Sequence, residues 1–127
     1  MNDRSTMHIG ELAERTGLSL RTLRHYDEIG LVSASGRTDG GFRLYTSADY
    51  ERLILIRRMK PLGFSLDEMA ELLRVYDALL AGSPDVDALR SRLDAFVADA
   101  RERRERLRAQ LEMADEFLGL LATARAR

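Results

Sequence analysis

The feature that most limits the possible folds is the stretch from Asp85 to Thr123, which contains no proline and no glycine before Gly119. Nothing there stops a helix. Its apolar residues Val86, Leu89, Leu93, Phe96, Ala100, Leu107, Ala114, Phe117 and Leu121 recur at steps of three, four or seven, with Leu111 beside them, as a coiled-coil seam requires. At ~1.5 Å per residue the helix is roughly 60 Å long. The ~80 residues before it make a domain with a compact radius of about 12 Å, too small to cover such a stripe. A second chain is therefore expected to cover it, clasping through Leu89, Leu93, Phe96, Leu107, Leu111, Phe117 and Leu121. Arg103 and Gln110 interrupt the seam. In the charged run Arg101 to Arg108, Glu102 and Arg106 form a supporting pair four residues apart, and Arg104 and Arg108 a repulsive one. The run reads as a solvated helix face in preference to a second nucleic-acid patch.

Composition narrows the function classes. The 127 residues are 45% hydrophobic and 32% charged, which suits one helix-rich domain with an elongated extension. No segment approaches the ~18 consecutive apolar residues of a membrane span, and Met1 to Met7 has no signal-peptide core, so a cytoplasmic location is expected. Cysteine is absent, which removes disulfides and thiolate metal ligands together. The net charge of −1 gives no global attraction for nucleic acid, so any such claim rests on where the cations sit. From Arg21 to Lys60 there are eight cations against five anions, a local excess of three.

Ahead of the long helix the chain is finely punctuated. Ile9, Leu12 and Ala13 mark a short helix stopped by Gly17, and Ser19 is placed to cap a second, with Leu20 and Leu23 inward and Gly30 as its stop. Two short helices joined by about three residues make a helix-turn-helix candidate. Asp39-Gly40-Gly41 signals a hairpin, Phe42 to Tyr45 alternates like a strand, and Leu31 to Ser33 supplies the first strand or its approach. Thr46 with Asp49 opens a third helix, with Leu53, Ile54, Ile56 and Met59 as its buried stripe and Pro61 and Gly63 as its stop. Ser65 and Glu68 form a capping box for a fourth helix that buries Leu66, Met69, Leu72, Leu73 and Tyr76 and reaches about Leu80. Ser83 is the expected cap of the long helix, with Pro84 in its first turn.

Three groups of polar residues carry the chemistry. On the second helix, with Leu20 and Leu23 inward, Arg21, Thr22 and His25 turn outward, a face that suits a major groove, and Ser19 at its start joins them as a DNA-binding candidate: arginine takes guanine by two hydrogen bonds, and threonine offers a hydroxyl and a methyl. Arg24 and Tyr26 flank it, suited to phosphates or, for Tyr26, to the core. In the hairpin Arg37, Arg43 and Tyr45 are phosphate donors. Arg57, Arg58 and Lys60 form a third cluster before a glycine turn whose N–H groups suit a DNA backbone.

The segments Ile9-Gly10-Glu11-Leu12-Ala13, Gly17-Leu18-Ser19, Leu23 to Val32, Gly41-Phe42-Arg43-Leu44-Tyr45 and Leu62 to Met69 together resemble the MerR family of bacterial regulators, over the first ~75 residues in order. The resemblance implies that Arg24, Tyr26, Arg43, Tyr45 and Lys60 contact DNA, mostly at phosphates. It implies a homodimer held by an antiparallel coiled coil on a near-palindromic promoter operator, which is bent and underwound for RNA polymerase. The fold class is then mainly α: a winged helix-turn-helix with a small β-hairpin wing, followed by a long dimerisation helix. The expected division is an N-terminal tail 1–7, a DNA-binding domain 8–80, a linker 81–84, a dimerisation helix 85–123 and a tail 124–127.

Metal- and redox-sensing members carry cysteines and drug-sensing members an appended ligand domain; neither is found in these residues, so no effector is assigned. A small apolar pocket at Tyr76, Leu79 and Leu80 is the one place offered for an effector, and those residues serve equally as core. Catalysis is not expected, since only His8 and His25 are available and neither has an orienting partner. No cofactor and no metal site is expected. The alternative to a promoter switch is an architectural DNA-binding or coiled-coil adaptor protein.

Overall fold

In a computed structural model, residues 5–127 are described. The chain forms β1 (Thr6–His8), α1 (Ile9–Thr16), α2 (Leu20–Glu28), β2 (Gly36–Arg37), β3 (Arg43–Thr46), α3 (Ser47–Met59), a 3-10 turn (Lys60–Leu62), α4 (Leu66–Leu80) and α5 (Val86–Arg125). It divides into two compact units, the break falling after Arg74 inside α4, six residues ahead of the end of the expected domain at residue 80.

The first unit is built on a three-stranded antiparallel sheet in the order β1-β3-β2. The sequence places residues up to 7 in a tail, but Met7 stands opposite Tyr45 and Thr6 opposite Thr46, so β1 closes one edge of the sheet. Residues 1–4 of that tail lie outside the described residues. The first strand of the hairpin is Gly36–Arg37, paired with Leu44 and Arg43, so that of the two expected roles Leu31 to Ser33 takes the approach and not the strand. The reason is local. Gly30, at φ 75°, ends α2 in a left-handed turn; its N–H donates to Asp27 O, and the N–H groups of Leu31 and Val32 donate back to Tyr26 O. Their donors are thereby committed to the helix end and unavailable to a ladder.

The caps fall largely where the sequence puts them. Thr46 and Asp49 exchange side-chain and backbone hydrogen bonds at the start of α3, and Ser65 and Glu68 do the same before α4. At α5 the expectation fails: the helix begins at Val86 behind Asp85, while the Ser83 hydroxyl accepts from the Asp85 N–H within the preceding turn. Pro84 thus lies just outside the helix. The core of the first unit gathers Leu12, Leu23, Tyr26, Val32, Tyr45, Leu53, Ile56 and Met59, with Phe64, Met69 and Leu73 following. Leu66 is exposed, because it opens α4 and overhangs its first turn.

In the second unit α5 is continuous over 40 residues. Leu89 is already 9% exposed within one chain, so packing inside the protomer leaves little of it for a seam between chains. Leu93 and Phe96 are half-buried. From Arg104 onward every residue is exposed, Leu107, Leu111, Phe117 and Leu121 among them. Met113, Leu118 and Leu120 widen that apolar surface beyond the expected seam. Arg106 pairs with Glu102 at 3.0 Å as the spacing suggests. The repulsion expected between Arg104 and Arg108 is relieved by Glu105, which lies 3.4 Å from the first and 3.6 Å from the second. No described helix is long and apolar enough to cross a membrane.

Candidate nucleic-acid interface

The turn between α1 and α2 is fixed by two side chains. Thr16, fully buried, donates its hydroxyl to Leu12 O at 2.8 Å and accepts the Leu18 N–H, so it closes α1 and opens the turn with one oxygen. Gly17 follows at φ 73°, where a Cβ would be strained and would stand 3.2 Å from an Arg57 guanidinium nitrogen. The α3 cation Arg57 therefore lies against the helix-turn-helix. Ser19 then caps α2: its oxygen accepts the Thr22 N–H at 3.0 Å and its O–H donates to the Thr22 hydroxyl at 2.9 Å. Because Thr22 accepts that proton, its own O–H is left to act as a donor.

On α2, Leu23 and Tyr26 are buried while Arg21, Arg24 and His25 are exposed. Leu20, expected to face inward with Leu23, is exposed. At 100° per residue a step of three falls 60° short of a full turn, so Leu20 and Tyr26 point 120° apart and a narrow core contact keeps only the later pair. Tyr26 belongs to the core, and burial raises the pKa of its hydroxyl. An open cleft of about 730 Å³ is lined by Arg21, Thr22, His25, Tyr26 and Glu28 from α2 and by Lys60, Phe64, Leu66 and Met69 from the chain beyond α3. The fold thus brings Lys60, more than thirty residues away in sequence, beside the predicted reading helix. Arg57 and Arg58 are exposed as well. Among the described residues, Arg21, Arg24, Arg57, Arg58 and Lys60 have no ion-pair partner, which leaves their charge for something else. Glu28 is an acid among these cations and disfavours phosphate at its end of the cleft.

The wing is arranged differently. Arg43 directs its Nε onto Asp27 Oδ2 at the end of α2, and Arg37 Nη2 lies 3.6 Å from the same oxygen. Burial by itself would raise the Asp27 pKa; the hydrogen bonds from Arg43 and the Ala34 N–H, with the charges of both arginines, outweigh it and hold the carboxyl below its ordinary value. The hydrogen bond to Asp27 likewise raises the pKa of Arg43. Tyr45, grouped with the wing cations in the sequence, is 1% exposed, and its hydroxyl is buried without a hydrogen-bond partner among the described residues. Alternation along β3 turns it to the buried face of the sheet, the face its cross-strand partner Met7 also takes, so it is core and not surface; burial, then the Asp27 charge, raises its pKa. What the sequence reading did not single out is Phe42, 68% exposed at the hairpin tip beside both arginines. Its place next to Gly40-Gly41 was the available signal, since residues at a tight tip have no opposite face to pack on. The loop before β2 is pinned by Ser35, which donates to Asp49 Oδ2 at 2.6 Å.

Residues 7–75 match the family model described as MerR HTH family regulatory protein, and residues 50–115 match the one described as MerR, DNA binding. The chain belongs to the MerR family of transcription regulators. Among its relatives, nodulation protein NolA of Bradyrhizobium elkanii is 43% identical over 108 residues, covering 83% of this chain and 47% of NolA. The chain therefore spans about half the length of that relative. The HTH-type transcriptional regulator CueR of Yersinia pestis is 36% identical over 110 residues, covering 84% of this chain and 79% of CueR. Among solved structures, HiNmlR, a MerR family regulator lacking the sensor domain and bound to promoter DNA, matches with a TM-score of 0.76 at 26% identity, covering 96% of this chain and 94% of that one.

Proposed function

We propose that this MerR-family regulator binds a near-palindromic promoter operator as a homodimer, places α2 in the major groove, and bends and underwinds the duplex so that RNA polymerase initiates differently. The observation that carries the reading is one cleft that gathers two cations without an ion-pair partner among the described residues, Arg21 on α2 and Lys60 beyond α3, together with the exposed His25. A duplex supplies what those groups lack, base edges for α2 and phosphates for Lys60. That HiNmlR, a neighbour in fold, was solved bound to promoter DNA supports DNA as the partner.

The exposed C-terminal part of α5 supports the dimer. A lone chain would leave Leu107, Leu111, Phe117 and Leu121 in water. Charge supports an antiparallel clasp. Residues 101–108 hold five arginines against two glutamates, whereas residues 111–121 hold Glu112, Asp115 and Glu116 and no cation. Opposed directions lay the basic run of one copy beside the acidic run of its partner; a parallel pairing would set like against like. Specificity then rests on base contacts and on the cost of deforming the DNA.

The test is transcription in vitro from the protein's own promoter, with the bend measured by permuting the operator along a fragment. A change in initiation together with a bend supports the reading. Binding to many sequences with no change in initiation would replace it with an architectural role.

A further inference from the structure

Besides the buried Asp49 that caps α3, the first unit holds a half-buried carboxylate, Asp27, that the α2 hydrogen-bond ladder does not require. Asp27 lies in the last turn of α2, on the helix that the proposed function places in the groove, with its side chain 12% exposed. An acid at a helix C-terminus is unfavourable by the helix dipole, so another interaction must hold it there. Both oxygens are used: Oδ1 accepts the Ala34 N–H at 3.4 Å, ahead of β2, and Oδ2 accepts Arg43 Nε from β3. Arg37, from β2, reaches the same Oδ2 more loosely, at 3.6 Å. One carboxylate thus ties three points of the wing, on either side of its tip, to the reading helix.

The two arginines are not held equally. Arg43 has a side chain 24% exposed and uses Nε on Asp27, which leaves its outer nitrogens unassigned; Arg37 is 52% exposed and spends one nitrogen on Gly41 O at 2.9 Å within the hairpin. We propose that Asp27 is a positioning residue for DNA recognition: it stands where a phosphate would stand between the two wing arginines, fixes the wing against α2 through Arg43, and leaves Arg37 loosely enough held to pass to the DNA backbone. The wing then arrives at the duplex already set at one distance from the bases that α2 reads. That pre-organisation favours the sequence whose backbone fits the spacing, because the ordering cost is met in the fold and not at binding. Asp27 itself touches no DNA. Its negative charge opposes duplex binding in general, so its contribution is to affinity for the operator over other duplexes and not to affinity for every duplex.

The inference rests on the operator-binding reading, and the experiment separates the two. Full-length wild type, Asp27→Asn and Asp27→Glu are each titrated against the wild type's own selected operator and a scrambled duplex of equal length, with a melting curve for each protein. Asp27→Asn weakens operator binding by roughly tenfold, the size of one charge-assisted hydrogen bond, and leaves binding to the scrambled duplex unchanged or tighter. Asp27→Glu keeps the charge but moves it by a methylene, and also lowers the ratio of the two affinities. If Asp27→Asn fails to fold, the glutamate variant carries the same readout. The proposal is overturned if both variants keep the wild-type ratio, if both affinities fall in step, or if glutamate restores the ratio in full. A wild type that does not distinguish the duplexes would instead defeat the operator-binding reading itself.

Discussion

Replacing Phe117 by alanine isolates the clasp between two copies from the folding of either one. The ring is 59% exposed in the single chain, so within a protomer little packing is lost. Burying a phenylalanine completely is worth about 1.5–3 kcal/mol. The share still open to a partner is then about 1–2 kcal/mol per ring. Two-fold symmetry removes two rings at once, so the dimer loses about 2–4 kcal/mol, and its dissociation constant rises roughly thirty- to a thousandfold. Sedimentation velocity over a dilution series reads that shift directly. Phe42→Ala is the control: Phe42 is at least as exposed but lies on the hairpin, and its loss leaves the association unchanged. A Phe117→Ala dimer constant within a factor of two of the wild type would refute the argument that this surface meets a second copy.

Other substitutions separate reading, docking and folding. Arg21→Ala relaxes preference at one base pair by about 1–3 kcal/mol, seen as a changed motif in a binding selection. Lys60→Ala weakens all duplexes alike and reduces the slope of affinity against salt by about one, as loss of a phosphate contact requires. Asp49→Ala strips the acceptor from the Thr46 N–H, the Ser35 hydroxyl and Arg52, at 2.9, 2.6 and 3.2 Å, and lowers stability to urea by about 2–4 kcal/mol. Asp27 predicts a pH dependence. A carboxyl whose folded pKa lies below its unfolded value contributes stability that is complete above the unfolded pKa of about 3.9 and is lost as the pH falls through the folded value. The stability gap between wild type and Asp27→Asn is therefore constant from neutral pH down to about 5 and narrows below about 4.

The parts of the fold that were legible in the amino-acid order are those set by short-range bonds. Ser19 with Thr22, Thr46 with Asp49, and Ser65 with Glu68 each complete a cap within three residues, so the sequence alone announces three helix starts. The long helix was equally plain from the absence of any stop. What escaped depends on distant partners. Strand β1 exists because residues 6–8 meet residues 44–46, a pairing that no local pattern encodes. Leu31 to Ser33 has strand-like residues, but the return bonds onto Tyr26 claim its donors first. The candidate site divides the same way. Helical spacing turns Arg21, Thr22 and His25 outward, and the structure exposes the arginine and histidine and leaves the threonine partly so. Tyr45 and Leu89 look like contact residues in isolation, yet packing within one chain buries both. Asp27 counted only as an anion in the charge balance, because its meaning lies in residues 34, 37 and 43.

The most direct measurement selects bound fragments from genomic DNA with purified full-length protein and reads their shared motif alongside the mass of the complex. Two copies clasped through α5 with both α2 helices on the same side of a duplex predict inverted half-sites about one helical turn, roughly 34–36 Å, from centre to centre, bound by a dimer. Enrichment of a single asymmetric site held by one chain, or no enrichment at all, would contradict the account.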